Sequence, residues 1–358
     1  MSGPYNFHGR IEIYNKSKGN FPNQTEWNAA RIDNEVIEQM LSEPGLFCIQ
    51  ISEYLPLEVI KLLNDRFFSV RKDVTFRIYG FYGEVCDLDF LVYMPDLTKL
   101  EISVSEVRNL DVLSGLSKLK SLFLNISRQK EYAVIRSLNK DIQKLAISAG
   151  GNAGSFDMDC GWLIPFKQLS ELYLGKVKKN LSTICEIKSL RKLTLQGITC
   201  TSLEFLKDIP LERLAVHWGK MNCFDSLENH ETIEDVELWR ISKLDNVDFL
   251  GLLPNLKKIH LWQLACVKGL PEFPTESKLE CIDIDECRQF ENIKAVKNLK
   301  NLRKIRLIAA VPESEIAYAL ENPSVEEILY YCGGKKQRER VNQMINQSNK
   351  MCKNAWRY

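Results

Sequence analysis

Histidine is scarce in this chain, with four in 358 residues, and its eleven cysteines include no CxxC pair. That poverty argues against a tetrahedral zinc site, which needs paired ligands at close spacing. No stretch approaches the ~18 consecutive apolar residues of a membrane helix. The opening residues MSGPYNFHGRIEIYNKSKGN lack the apolar core of a secretory signal. Excess charge is missing too: 48 Lys and Arg face 47 Asp and Glu, for a net charge of +1. No global field therefore draws the chain to nucleic acid or to a membrane. With 18 Gly and 12 Pro, and 45% hydrophobic residues against 27% charged, it is neither collagenous nor disordered nor a small disulfide scaffold. The expectation is a cytoplasmic protein with a large core and reduced thiols, most of them acting as small buried hydrophobes.

What the sequence has in abundance is repetition. The element LxxLxL, with Ile and Val variants, recurs at Leu97/Leu100/Ile102, Leu119/Leu122/Leu124, Ile142/Leu145/Ile147, Leu169/Leu172/Leu174 and Leu190/Leu193/Leu195. It continues at Leu211/Leu214/Val216, Ile233/Val236/Leu238, Leu256/Ile259/Leu261, Leu279/Ile282/Ile284, Leu302/Ile305/Leu307 and Val325/Ile328/Tyr330. The step is about 21–23 residues throughout, except for about 27 between Leu145 and Leu172. Two weaker copies, Ile49/Ile51 and Phe76/Ile78, precede the series.

The pattern resembles the leucine-rich repeat family over roughly residues 46 to 332. The apolar ladder at every third position, as in Leu250/Leu253/Leu256/Ile259/Leu261, is similar to the short, ~22-residue SDS22-like or internalin-like subclass. The resemblance implies an α/β fold: a curved solenoid horseshoe with a parallel inner β-sheet and a 3₁₀ or helical convex side. Physics agrees, because LxL alternation buries one face of a short strand and a period of three suits a 3₁₀ return. A single repeat cannot bury its own apolar side, so neighbours must stack. One position departs from the family. Three residues after the second strand leucine, where Asn or Cys is usual, stand Ser127, Gly150, Val177, Ile198, Gly219, Ile241, Leu264, Cys287 and Ala310. Less regular turns are expected as a result.

Helical caps are expected at both ends. Asp33–Asn34 opens EVIEQMLSE, and Pro56 opens PLEVIKLLNDRF. PESEIAYALEN and, after Gly333–Gly334, KKQRERVNQMINQ close the chain. The boundaries read as an N-terminal cap with a first irregular repeat over 1–70, the solenoid over 71–332, and a basic cap helix and tail over 333–358. The tail carries seven Lys and Arg against the single Glu339 and is read as a cap helix with a solvated basic face, Val341, Met344 and Ile345 packing inward. The Gly-rich stretch within 150–168 reads as an insertion looping out of one repeat, since its GGNAG lacks the Lys-Ser/Thr of a phosphate loop.

Candidate chemistry is thin. His217, Cys223 and His230 have no partners spaced to complete a metal site, so no metal is expected. Asp283, Asp285 and Glu286 lack the glycine and distal glutamate of a calcium loop and read as an exposed acidic patch. Cys200, Cys266 and Cys287 occupy core-facing repeat positions. NIS at Asn125 and NLS at Asn180 match the glycosylation pattern, which matters only in a secreted chain. No activated nucleophile or acid–base pair emerges, so neither enzyme activity nor a cofactor is expected.

The informative surface is the face of the sheet opposite the core. Its middle column reads Glu101, Phe123, Ala146, Tyr173, Thr194, Ala215, Glu237, His260, Asp283, Arg306. The next runs through His217, Trp239, Trp262 and Asp285. With strands about 4.8 Å apart, His217, Trp239, Trp262 and Asp285 stand side by side, and Trp218, Glu237, His260 and Glu286 are adjacent. Aromatics that merely cover the sheet are the bland alternative. The expected role is a non-enzymatic protein-binding module, with the tryptophans, Tyr173 and the histidines contacting a partner and the acids selecting a basic surface on it. By family resemblance the role extends to an inhibitor, or an immunity protein that neutralises a toxin. The alternative is nucleic-acid binding through the aromatics and the basic tail, which the neighbouring acids oppose.

Overall fold

A computed structural model of the chain describes residues 9–15, 25–148, 156–221, 224–309 and 311–352. It divides into two compact units, Met1–Leu181 and Ser182–Tyr358.

In the first unit, eight strands form the sheet: β1 (Gly9–Tyr14), β2 (Thr25–Asn28), β3 (Leu46–Ile51), β4 (Thr75–Gly80), β5 (Lys99–Val104), β6 (Ser121–Ile126), β7 (Lys144–Ser148) and β8 (Glu171–Gly175). Their order is β8-β7-β6-β5-β4-β3-β1-β2, and the described pairings are parallel. The weak copies fall into line, with Ile49 opposite Phe76 and Phe76 opposite Leu100. Helix α1 (Asn34–Ser42) starts where Asp33 accepts a hydrogen bond from the Val36 amide at 2.9 Å. Helix α2 (Leu57–Leu62) follows Pro56 and widens into a π-helical turn over Leu63–Phe68. β1 and β2 were not foreseen by sequence reading. Ile11 and Ile13 of β1 are wholly buried, so the GRIEIY alternation was the signal.

The second unit carries eight more strands: β9 (Lys192–Gln196), β10 (Arg213–His217), β11 (Asp235–Trp239), β12 (Lys258–Trp262), β13 (Cys281–Asp285), β14 (Lys304–Ile308), β15 (Glu327–Tyr330) and β16 (Met351–Cys352). They pair in parallel in sequence order, one strand per repeat. The returns are short 3₁₀ segments, such as Asp248–Leu252 and Lys294–Asn298. A tight, three-residue turn matches the period-three apolar ladder, burying Leu250 and Val296. Repeat residues such as Leu193, Leu214, Val236, Ile259, Ile282 and Ile305 line the interior and are solvent-free or nearly so. Helices α3 (Ile316–Glu321) and α4 (Lys335–Gln347) end the unit, Val341 and Ile345 of α4 being buried and Met344 half-buried.

The turns after the strands are more regular than the missing Asn ladder led sequence reading to expect. Gly197, Trp218, Arg240, Gln263 and Glu286 adopt left-handed backbone at five successive turns. Each donates its amide to the strand-end carbonyl of the next repeat: His217, Trp239, Trp262, Asp285 and Ile308, at 2.5–2.8 Å. Backbone-to-backbone bonds thus do the work of the absent side chains. Behind them Ile198, Ile241 and Leu264 are buried and apolar. Cys287 keeps the family's role: it accepts from the Leu264 amide at 3.4 Å and donates to the Leu261 carbonyl at 3.3 Å.

The ten described cysteines are free thiols; Cys48, Cys86, Cys160, Cys287 and Cys332 are buried, whereas Cys200 and Cys266 are only half-buried rather than core-facing. The GGNAG stretch, Cys223 and Ala310 lie outside the described residues. Among the described residues no helix is long and apolar enough to cross a membrane.

Candidate functional site

The strand register of the second unit sets the site. Glu237, His260, Asp283 and Arg306 are successive partners in one column, and His217, Trp239, Trp262 and Asp285 in the next. The rings meet at angles. Trp239 and Trp262 have centroids 6.2 Å apart and planes 77° to each other, so these neighbours in register meet as an edge-to-face pair. Trp218 leans on Trp239 at 5.2 Å and 57°, and His217 meets Trp239 edge-on at 5.3 Å. Trp218 reaches over its neighbour from a left-handed backbone, φ +55°, a conformation that costs a bulky residue about 1–3 kcal/mol. The amide bond to the Trp239 carbonyl offsets that cost, and the residue stays 36% exposed.

Polar contacts fix the rings and the charges around them. Trp239 donates its indole N–H to Gln263 Oε1 at 3.1 Å, and Gln263 donates in turn to Glu286 at 2.5 Å. Arg213 and His217 both reach Glu237, at 2.5 and 2.8 Å. Burial pushes the Glu237 carboxyl up, but the His217 hydrogen bond and the Arg213 charge outweigh it and leave the pKa below the usual carboxylate value. Arg306 bridges Asp283 at 2.6 Å and Asp285 at 2.8 Å. His260 lies between Asp235 and Asp283, at 3.6 and 3.7 Å.

These pairs correct the expectation of an exposed acidic patch. Asp283 is fully buried and Glu237 is 8% exposed, while Asp285 is partly covered. Each of these three carboxylates sits beside a guanidinium supplied by a neighbouring strand, so none of the three is a solvated rim charge. Glu286 alone of the four is exposed. Tyr173 lies in the first unit, on β8, half-buried; burial, against a hydrogen bond from Ser148, pushes its hydroxyl up to about 12. The other predicted residues gather within β10–β13 and the turns that follow. His230 is buried away from the cluster, near the Leu206 carbonyl at 3.3 Å, and among the described residues no group of metal-ligating side chains forms.

Sequence reading passed over Arg213, Gln263 and Lys258. Beside the aromatics runs a cleft of about 680 Å³, lined by Arg213, Asp235, Lys258, His260, Trp262 and Lys304 among others. Arg213 and Lys258 stand two residues before the middle column, at the start of their strands, where the LxxLxL rule itself leads. Cys281 lies in this cleft, and burial pushes its thiol up to about 11, so it is a protonated wall rather than a nucleophile at neutral pH.

Parallel strands one per repeat, 3₁₀ returns and buried LxL residues define a leucine-rich repeat solenoid. Among solved structures the chain is similar to an internalin, InlF, of Listeria monocytogenes, at 13% identity and TM-score 0.56, covering 90% of this chain and 94% of that one. It is also similar to a leucine-rich repeat protein of Leptospira interrogans, at 14% identity and TM-score 0.43, over 90% and 92% of the two chains. At such identity the likeness to InlF is one of fold. No family model and no curated protein matches the sequence.

Proposed function

We propose that the second unit is a non-catalytic protein-binding module whose open sheet face receives a folded protein partner. The observation that carries this reading is the cluster of Trp218, Trp239 and Trp262. Three indoles share one face, held at fixed angles by the register and by Gln263, and Trp218 is kept partly in solvent on a strained backbone. Rigid aromatics lose little entropy on binding, and so dominate interface hot spots. Glu237, Asp283 and Asp285 are committed to internal ion pairs, and burial keeps the Cys281 thiol protonated at neutral pH, which argues against these groups acting as a general base or nucleophile. Leucine-rich repeat folds serve widely as binding scaffolds, an argument by analogy. In its sharper form the reading makes the chain a cytoplasmic inhibitor or immunity-type protein that covers a partner's working surface; the free thiols fit a reducing compartment.

The test is affinity capture from the native host with the parent chain and with a Trp218→Ala, Trp239→Ala double variant. A partner retained by the parent and lost by the variant, at unchanged melting temperature, is the expected result. Each indole should contribute about 2 kcal/mol, near 30-fold in Kd. Equal retention sinks the face as the site. Loss of both binding and folding would make the indoles structural. If the captured partner is an enzyme or toxin whose activity survives saturation, the inhibitory form is wrong.

A further inference from the structure

Eight arginines of the second unit lie among the described residues, and six have a visible partner. Arg191, Arg213, Arg303, Arg306 and Arg340 pair with carboxylates, and Arg338 lies 4.0 Å over the Tyr331 ring. Arg240 and Arg288 make no such contact among the described residues, and both are exposed. They line the same cleft, about 350 Å³, together with Ser242, Gln263 and Glu286. Gln263 belongs to both features, since it also accepts the indole N–H of Trp239. The backbone of Arg240 is pinned by its amide bond to the Trp262 carbonyl at 2.8 Å, so only its side chain remains uncommitted.

The charge balance around the indoles follows from these pairings. Asp283 and Asp285 share Arg306, and Glu237 shares Arg213 with Asp235, so these acids are held in internal ion pairs, while in the smaller cleft Arg240 and Arg288 face the single carboxylate of Glu286, itself engaged by Gln263. Within this smaller cleft two guanidiniums stand against one carboxylate, a local excess of positive charge. Two guanidiniums across a small cleft suit a carboxylate, which each can grip in a bidentate fork.

We infer that the partner's contact surface is acidic: an Asp or Glu side chain of the partner protein seats between Arg240 and Arg288, and an adjoining apolar side chain lies on Trp218 and Trp239. This rests on the binding-module reading and reverses the basic surface that the sequence led us to expect. The cause is that three of the acids which were to select a basic partner, Glu237, Asp283 and Asp285, are spent on Arg213 and Arg306, and the fourth, Glu286, faces two arginines.

A library of random twelve-residue peptides displayed on phage, selected on the immobilised full chain, tests this. Enriched peptides should place Asp or Glu next to an aromatic or aliphatic residue. As synthetic peptides they should weaken by about tenfold or more on an Arg240→Glu, Arg288→Glu double variant, and also with rising salt. Arg240→Gln with Arg288→Gln should show a smaller loss in the same direction. Melting should not change, because neither arginine holds another group. Peptides lost by the Trp218→Ala, Trp239→Ala variant but indifferent to both arginine variants would overturn the inference and leave the aromatic face standing. Peptides indifferent to both sets would overturn the two readings together. A library yielding no peptide that depends on Arg240 and Arg288 also overturns the inference.

Discussion

Arg306 reaches back from its own strand to Asp283, 2.6 Å away, and so holds a fully buried carboxylate of the second unit's sheet face. Removing one member of a buried pair strands the other charge, which costs about 3–5 kcal/mol. Arg306→Met should therefore lower the urea midpoint strongly. Adding Asp283→Asn should recover part of the loss, because no uncompensated carboxylate then remains buried. Urea unfolding of the three chains checks this; losses that simply add would show that the two residues are not coupled.

Acid should weaken the fold through Glu237. Its folded pKa is depressed: burial raises it, but the hydrogen bond to His217 and the charges of His217 and Arg213 more than compensate. A depressed carboxylate stabilises the fold above its unfolded value, near pH 4.3, and that contribution disappears as pH falls through the lower folded value. Glu237→Gln should thus be less stable than the parent at pH 7, with the gap closing toward pH 3. A gap that stays constant with pH would contradict the assignment.

The thiols should divide by burial. Cys48 is pushed up to about 11, and Cys86, Cys160 and Cys287 to about 12, all chiefly by desolvation. Only the thiolate attacks a disulfide reagent, so these four should resist labelling at pH 8 until the chain is unfolded. Cys185 and Cys266, half-exposed, should react first. Counting labelled sites by mass spectrometry decides it; early modification of Cys287 would mean that the turn it bonds opens readily.

Leu214 is fully buried on β10. Truncation to Ala should cost about 2–5 kcal/mol. Because repeats touch mainly their neighbours, the loss should appear first as faster amide exchange in β9–β11 rather than uniformly. Uniform exchange across the unit would show that it melts as one cooperative block.

Much of this was legible in the sequence, because a repeat converts spacing into geometry. The LxxLxL step placed Glu237, His260, Asp283 and Arg306 in one column and His217, Trp239, Trp262 and Asp285 in the next, and the structure pairs them so. Periodicity reports which face a side chain leaves from. It is silent on the rotamer it takes and on the neighbour it meets. Tertiary structure alone turned Trp239 and Trp262 edge to face, because Trp218 and Gln263 occupy the surroundings of Trp239 and fix its ring. It alone buried Asp283 and Glu237, by delivering Arg306 and Arg213 from adjacent strands to carboxylates about 20 residues distant in sequence. Composition had balanced the charges over the whole chain. Only packing decided which were cancelled in place and which, at Arg240 and Arg288, were left facing outward.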